Sequence, residues 1–185
     1  MSTFQWSIER LRDVGEADVA DLARVLIDCV DGGASVSFMH PLTFERALAF
    51  WQRVASDVRD GKRALLVARD DQGICGTVQL VLEQPENQPH RADVSKMLVH
   101  RRARRRGLAA ALIAAVDSCA RECGKTLLVL DTITGSDASR VYERAGWTHV
   151  GVIPDYALMP RGGLAGTAVY YRRVHESAGA DVKQP

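Results

Sequence analysis

The sequence has little of the features that would assign it to a disulfide-rich, zinc-binding or membrane class. It holds four cysteines in 185 residues, and none is paired in a CxxC spacing. A secreted disulfide framework or a zinc module needs cysteines in greater number or in closer pairs. No run approaches about 18 apolar residues, the length that a membrane-spanning helix requires. We therefore expect no metal, no disulfide framework and no contact with a membrane.

Markers of secretion and of general nucleic-acid binding are also missing. The opening residues carry charges where a signal peptide has its apolar core, which together with free cysteines predicts a cytoplasmic protein. Lys and Arg number 24 against 23 Asp and Glu, a formal net charge of +1, so no excess of basic charge indicates a nucleic-acid partner. The length suits one domain, which we predict over residues 1–175, with a disordered polar tail over 176–185.

Strand-like and helix-like patterns alternate along the rest of the chain. The strands are predicted at 5–11, 63–70, 73–83, 92–99, 126–132, 147–153 and 166–174, and the helices at 16–30, 42–60, 108–124 and 136–146. Asp18 and Thr43 are the candidate N-caps of the first two helices. A strand–helix–strand crossover over 92–131 implies two parallel neighbours. We therefore predict an α/β fold with a mixed, mostly antiparallel sheet flanked by helices.

The stretch HRRARRRGLAAAL, residues 100–112, joins a predicted strand to a predicted helix. The first N–H groups of a helix have no internal partners and lie at the positive end of its dipole, so an anion fits there. Gly107 removes a Cβ where a phosphate would approach the backbone. The spacing is neither GxxxxGK[ST] nor GxGxxG, but R-x-x-G-x-A, formed by Arg104, Gly107 and Ala109. The arginines can hold phosphates, face solvent or bind nucleic acid, and the stretch alone does not distinguish these three roles.

With its surroundings, this stretch resembles the GNAT superfamily of acyl-CoA N-acyltransferases. The signature [QR]-x-x-G-x-[GA] after a strand matches MLVHRRARRRGLAAALI, and a second one, N-x-x-A-x-x-x-Y before a glycine and an aromatic, matches GSDASRVYERAGW. The matching residues of the second are Ala138, Tyr142, Gly146 and Trp147, while Gly135 stands where the family often has Asn. The stretches GGASVSFM and RADVSKMLV are similar to the tabtoxin-resistance acetyltransferases within that superfamily.

The resemblance implies that acetyl-CoA is the co-substrate. It lies where the strands at 92–99 and 126–131 splay apart, with its pantetheine arm on main-chain groups of Leu98 and Val99. Its pyrophosphate lies on N–H groups of the arginine stretch. The expected cofactor-binding residues are Met97, Leu98, Val99, Arg104, Arg105, Arg106, Gly107, Leu108, Ala109, Ser139 and Tyr142.

The resemblance also implies direct acetyl transfer to an amine, without a covalent enzyme intermediate. Tyr142 is then the general acid that faces the leaving sulfur. Asp131 and Asp93 lie on the two strands that flank the gap, and either can hold the amine or accept its proton. Ser35, Phe38 and Met39, between the first two helices, are expected to contact the acceptor together with these two carboxylates.

The acceptor class is left open by the sequence. We expect an amine on a small molecule, such as an amino-acid-like toxin or antibiotic, acetylated by a monomer or a homodimer. One alternative is an N-acetyltransferase acting on proteins or peptides. An alternative of another class is a nucleic-acid-binding module that uses the arginine cluster at 101–106.

Overall fold

The computed structural model describes residues 5–174, which form one seven-stranded sheet and four α-helices. The strands are β1 (Ser7–Leu11), β2 (Arg63–Asp70), β3 (Gly73–Val81), β4 (Arg91–Val99), β5 (Leu127–Ile133), β6 (Thr148–Leu158) and β7 (Leu164–Arg173). The helices are α1 (Glu16–Asp31), α2 (Phe44–Arg59), α3 (Leu108–Glu122) and α4 (Asp137–Arg144), and a 3-10 turn spans Arg101–Ala103. No helix in this part of the chain is long and apolar enough to cross a bilayer. The tail predicted at 176–185 lies outside the described residues.

The strands follow the order β1-β2-β3-β4-β5-β7-β6, and every neighbouring pair is antiparallel except β4 and β5. This confirms the predicted mixed sheet with one parallel pair. Pairing between β4 and β5 covers three residues on each strand, from Arg91 opposite Leu127 to Asp93 opposite Val129. Beyond these residues β4 and β5 no longer pair with each other, so a gap opens in the sheet toward their carboxyl ends.

Helices cover both faces of the sheet. Helices α1 and α2 pack on one face, against side chains of β2 that include Leu65 and Val67. Helices α3 and α4 cover the opposite face, where their apolar side chains share one core cluster with Leu66 of the same strand. Because successive side chains of a strand point to opposite faces, β2 is apolar at nearly every position. The two apolar layers hold the sheet rigidly on either side of the gap.

The beginnings of the first two helices differ in how well the sequence predicts them. Thr43 caps α2, as predicted, by accepting a hydrogen bond from the N–H of Arg46 at 3.3 Å. The prediction that Asp18 is the N-cap of α1 is wrong, because α1 begins after Gly15. Asp18 instead lies in the first turn, and its carboxylate accepts the Gly15 N–H at 3.0 Å. An acidic side chain can satisfy a helix start from inside the first turn as well as from the cap position.

The last two strands are longer than predicted, since the sequence indicated 147–153 and 166–174. Pro154 marked an apparent end, but β6 is an edge strand, where a missing N–H breaks no ladder bond. The strand passes Pro154 through a bulge, with Ile153 opposite Thr167 and Ala157 opposite Ala165. The resulting hairpin exposes large apolar side chains, namely Val150, Val152, Ile153, Tyr156, Leu158 and Leu164.

Candidate active site

Strand β4 is distorted at the point where it borders the gap. Its register with β3 places Leu98 opposite Thr77 but Ser95 opposite Gln79, so two residues, Lys96 and Met97, face a single residue of β3. Lys96 has a φ of 50°, in the left-handed region that side chains other than glycine rarely adopt. A bulge of this kind bends a strand and increases its twist. The bend directs the end of β4 away from β5.

A cleft of about 1550 Å³ fills the space between the separated strands. Its walls come from β4, β5, the start of α3, helix α4, the segment between α1 and α2, and the β6–β7 hairpin. Sites for a single drug-sized ligand measure roughly 300–1000 Å³. The larger volume suits two substrates that bind side by side.

The amino end of α3 borders this cleft with unsatisfied main-chain donors. The N–H groups of Gly107, Leu108, Ala109 and Ala110 donate no hydrogen bond to any group within residues 5–174. Gly107 has a φ of 79°, and a Cβ built there would meet no atom within 4 Å. The helix start is therefore open on the side from which an anion would approach.

The first two arginines of the 100–112 stretch anchor it to the rest of the fold. Arg101 binds the buried carboxylate of Asp28 on α1 through its main-chain N–H, at 2.9 Å, and through its guanidinium. Arg102 donates to both carboxylate oxygens of Asp70, at 2.8 and 3.1 Å. Burial acts to raise the pKa of Asp70, but hydrogen bonds from Arg102 and from the Gln72 N–H outweigh it and hold that pKa below its usual value. These two arginines therefore pair with acids of the same chain.

The remaining arginines divide between the cleft and the surface. Arg104 lines the cleft, and its Nε donates to the Val99 carbonyl at 3.0 Å while Nη2 lies 3.8 Å from Cys29 Sγ. Arg105 also lines the cleft, whereas Arg106 does not. Arg104 thus ties the end of β4 to the loop, and both Arg104 and Arg105 border the cleft.

Tyr142 of α4 reaches the cleft with its hydroxyl group unbonded. The residue is 5% exposed, and its ring packs edge-on against Trp147 with centroids 5.6 Å apart. No group within residues 5–174 forms a hydrogen bond with the hydroxyl. Burial, and secondly the charge of Asp131, raise the pKa of Tyr142. The phenol therefore stays protonated through the neutral range and can donate its proton to a ligand.

The two carboxylates expected at the site lie in different places. Asp131 lies on β5 beyond Val129, the last residue that pairs with β4, and it lines the cleft, where Thr167 Oγ1 lies 2.9 Å from its Oδ2. Asp93 forms the last rung of the parallel pair and does not line the cleft. Its carboxylate pairs with Arg91 and accepts a hydrogen bond from Gln84 Nε2 at 3.1 Å. Asp131 is thus the only one of the two that is available to a ligand.

The segment between α1 and α2 closes one end of the cleft. Ser35, Phe38 and Met39 all line it. Phe38 is anchored by an edge-on contact with Phe50, with centroids 5.3 Å apart, while Met39 is 40% exposed. Ser35 Oγ lies 3.5 Å from the Leu158 carbonyl of β6. The segment and the β6–β7 hairpin therefore meet over the cleft.

The cleft brings together most of the residues singled out from the sequence: Ser35, Phe38, Met39, Met97, Leu98, Val99, Arg104, Arg105, Gly107, Leu108, Ala109, Asp131 and Tyr142. It leaves out Asp93, Arg106 and Ser139. Ser139 is buried at the start of α4, where its Oγ donates to the Ser136 carbonyl at 2.7 Å.

The sequence reasoning missed several residues of the cleft, among them Ser37, Lys96 and Thr167. Lys96 had a readable signal, because strict alternation along β4 would place this charged residue on the same face as the apolar Val94. Thr167 had none, since its partner Asp131 lies 36 residues away in sequence.

The chain is similar to known acetyltransferases in sequence. A profile of the family described as an acetyltransferase (GNAT) domain matches residues 61–149. An uncharacterised N-acetyltransferase from the hisH–hisA intergenic region of Azospirillum brasilense is 32% identical over 127 residues, which is 68% of this chain and 74% of that protein. The chain belongs to the GNAT family, and it is an acetyl-CoA-dependent N-acetyltransferase.

Solved structures share the fold at low identity. The candidate acetyltransferase yncA from Salmonella typhimurium, solved with its cofactor acetyl-CoA, has a TM-score of 0.75 at 19% identity over 96% of this chain and 98% of that chain. A ribosomal-protein-alanine N-acetyltransferase from Brucella melitensis has a TM-score of 0.76 at 21% identity, over 90% of this chain and 99% of that chain. A candidate phosphinothricin N-acetyltransferase has a TM-score of 0.76 at 16% identity, over 93% of this chain and 100% of that chain. The last two are named for different acceptors, so the fold does not decide the acceptor.

Proposed function

We propose that the cleft binds acetyl-CoA beside a small amine, and that the acetyl group passes directly to an amino-acid-like molecule, such as a toxin or antibiotic. The observation that carries this proposal is the gap between β4 and β5. It is large enough for two substrates and exposes the unbonded hydroxyl of Tyr142 and the carboxylate of Asp131 to them. Acetyl-CoA supplies the acetyl group as a reactive thioester.

The residues that border the gap fit acetyl-CoA. The N–H groups of Gly107 to Ala110 point to the pyrophosphate, and Arg105 adds a cation beside them. The part of β4 beyond Asp93 makes no pairing with β5, which leaves an edge for the pantetheine arm. Since the Val99 carbonyl already accepts Arg104 Nε, we assign the arm to main-chain groups of Met97 and Leu98.

The chemistry divides between Asp131 and Tyr142. Asp131, oriented by Thr167, holds the acceptor amine and takes up the proton that the nitrogen loses. The new C–N bond forms as the C–S bond breaks, and Tyr142 gives its proton to the departing sulfur. A main-chain N–H near Leu98 stabilises the charge that develops on the carbonyl oxygen. Asp131 then releases its proton to solvent and Tyr142 regains one from solvent, so that atoms and charges balance over the cycle.

A small acceptor is favoured by the way the far end of the cleft is covered. The Ser35–Met39 segment meets the β6–β7 hairpin there, and a long peptide would need a groove that continues past them. The stretches GGASVSFM and RADVSKMLV, which resemble the tabtoxin-resistance subgroup, supply part of this wall.

The test is the release of CoA thiol from acetyl-CoA in the presence of different amines. The panel contains free amino acids, amino-acid antibiotics, peptides with a free N-terminal alanine and peptides with internal lysine. We expect the small amino acids to give kcat/KM values roughly 100-fold above those of the peptides, a difference of about 2.7 kcal/mol. Equal or faster release with peptides would establish the protein-acetylating alternative. No release with any amine would contradict the proposal altogether.

A further inference from the structure

Lys96 is a charged side chain at an unusual position in the cleft. It lies in the β4 bulge with a φ of 50°, and it lines the cleft between the separated strands. A residue other than glycine is unfavourable in this backbone conformation, and such residues concentrate where a ligand is bound. The bulge turns a side chain that would otherwise face the packed interior toward the substrates.

A second residue with the same backbone feature meets Lys96 across the cleft. Ser37 lies in the segment between α1 and α2 and has a φ of 74°. Its Oγ accepts a hydrogen bond from Lys96 Nζ at 3.2 Å. The two residues are 59 positions apart in sequence, so the contact depends on the folded cleft. A hydroxyl and an ammonium are thus held side by side at the acceptor end.

The Lys96 ammonium has no counter-ion among residues 5–174, because no carboxylate lies within ion-pair distance of its Nζ. Its contacts are the Ser37 hydroxyl and the ring of Phe50, whose centroid lies 5.7 Å from Nζ. An ammonium has three N–H donors, so two of them are available to a ligand. Burial lowers the pKa of Lys96, as does the charge of Arg63, while Asp131 acts in the opposite direction. Removal of a cation from water is unfavourable until an anion joins it.

We propose that Lys96 and Ser37 form the subsite for a carboxylate of the acceptor, which rests on the proposed function of small-amine acetylation. Asp131 lies close enough for its charge to act on both Lys96 and Tyr142. The cleft therefore presents a cation and an anion to one molecule. An acceptor that carries its amine next to a carboxylate satisfies both, with the amine at Asp131 and the carboxylate at Lys96. Free α-amino acids are the substrate class with this arrangement.

The experiment compares an amino acid with its α-carboxamide, which keeps the amine and the side chain but loses the negative charge. We expect the wild-type protein to prefer the acid over the amide by roughly 30-fold in kcat/KM, as suits one hydrogen-bonded charge pair. In Lys96→Gln the preference should fall to within about 3-fold, because turnover of the acid falls much more than turnover of the amide. Ser37→Ala, which leaves the cation in place, should reduce the preference only in part.

Lys62→Gln is the matched control, because Lys62 pairs with Glu83 at 3.7 Å and lies outside the cleft. It should keep the full preference for the acid. Equal loss of acid and amide turnover in Lys96→Gln, with acetyl-CoA binding intact, would overturn the subsite. Equal use of acid and amide by the wild-type protein would also overturn it while leaving the proposed function standing. Failure to acetylate any amine would remove the proposed function itself and the subsite with it.

Discussion

At the scale of single residues, two carboxylates that look equivalent in the sequence have different surroundings. Asp93 and Asp131 both lie on strands that flank the gap, and the sequence leaves both as candidates. The distinction depends on where the pairing of β4 with β5 stops, which is at Asp93 opposite Val129. Asp93 is on the paired side of that point and binds Arg91, while Asp131 is on the open side. A register of this kind is set by tertiary packing.

Replacing each carboxylate by its amide tests this difference. Asp131→Asn keeps the shape and an acceptor for the Thr167 hydroxyl but removes the charge, so we expect kcat/KM for the amine to fall roughly 100-fold. Asp93→Asn is the control and should retain activity within about 3-fold, since its carboxylate does not border the cleft. Steady-state kinetics at saturating acetyl-CoA measures both. A larger loss of activity in Asp93→Asn than in Asp131→Asn would show that Asp93, and not Asp131, acts on the amine.

Tyr142 gives a second test, on the chemical step. Tyr142→Phe removes one oxygen that makes no hydrogen bond within residues 5–174, so stability should hardly change while kcat falls by roughly 10²-fold or more. Because burial and Asp131 raise the pKa of Tyr142, its acid form persists into alkaline solution. The wild-type kcat should therefore show no loss from tyrosine ionisation below pH ~10.

Tyr170→Phe is the matched control for the tyrosine. Its hydroxyl donates to Glu143 at 2.9 Å and does not border the cleft. This variant should lose stability, by about 1.5–3 kcal/mol as for other hydrogen bonds to charged groups, yet keep its kcat. Full turnover by Tyr142→Phe would remove Tyr142 from the mechanism.

At the scale of elements, the sequence predicts what is decided locally. Thr43 caps α2 because a helix start depends on the residues that follow it. The parallel pair β4–β5 follows from a crossover helix between two strand patterns. The extended β6–β7 hairpin could not be predicted, because Pro154 is tolerated only on an edge strand. That β6 lies at the edge depends on β7 inserting between it and β5.

The arginine stretch at 100–112 is likewise predictable only in the features that depend on neighbouring residues. The sequence identifies its position between a strand and a helix, and Gly107 indicates a close approach of ligand to backbone. It could not divide the arginines among their roles, because the partners of Arg101 and Arg102 are Asp28 and Asp70, which are 73 and 32 residues away. In the structure, these side chains fix the loop. The proposed anion site therefore consists mainly of main-chain N–H groups.

At the scale of the whole molecule, the sheet consists of two parts joined by a short parallel pairing. Strands β1 to β4 form one part and β5, β7 and β6 the other, and only the pairing that ends at Asp93 and Val129 connects them. Helix α3 connects β4 to β5 along the chain, and its amino end lies at the opening. The proposed acetyl-CoA and acceptor sites thus depend on the sheet topology as much as on any one residue.

The central claim, that acetyl-CoA binds at this opening, is tested most directly by thermal unfolding with and without acetyl-CoA in three proteins. Gly107 and Gly124 flank α3 with φ values of 79° and 67°, and a Cβ at either would meet no atom within 4 Å. Alanine at either position therefore costs a similar backbone strain, about 1–2 kcal/mol, but only alanine at 107 obstructs the proposed phosphate site.

At acetyl-CoA concentrations about 100 times Kd, the stabilisation is about 2.7 kcal/mol, which corresponds to a rise in Tm of roughly 5–10 °C. We expect this rise in the wild-type protein and in Gly124→Ala, and a much smaller one in Gly107→Ala. An unchanged wild-type Tm, or equal rises in the two glycine variants, would contradict the account.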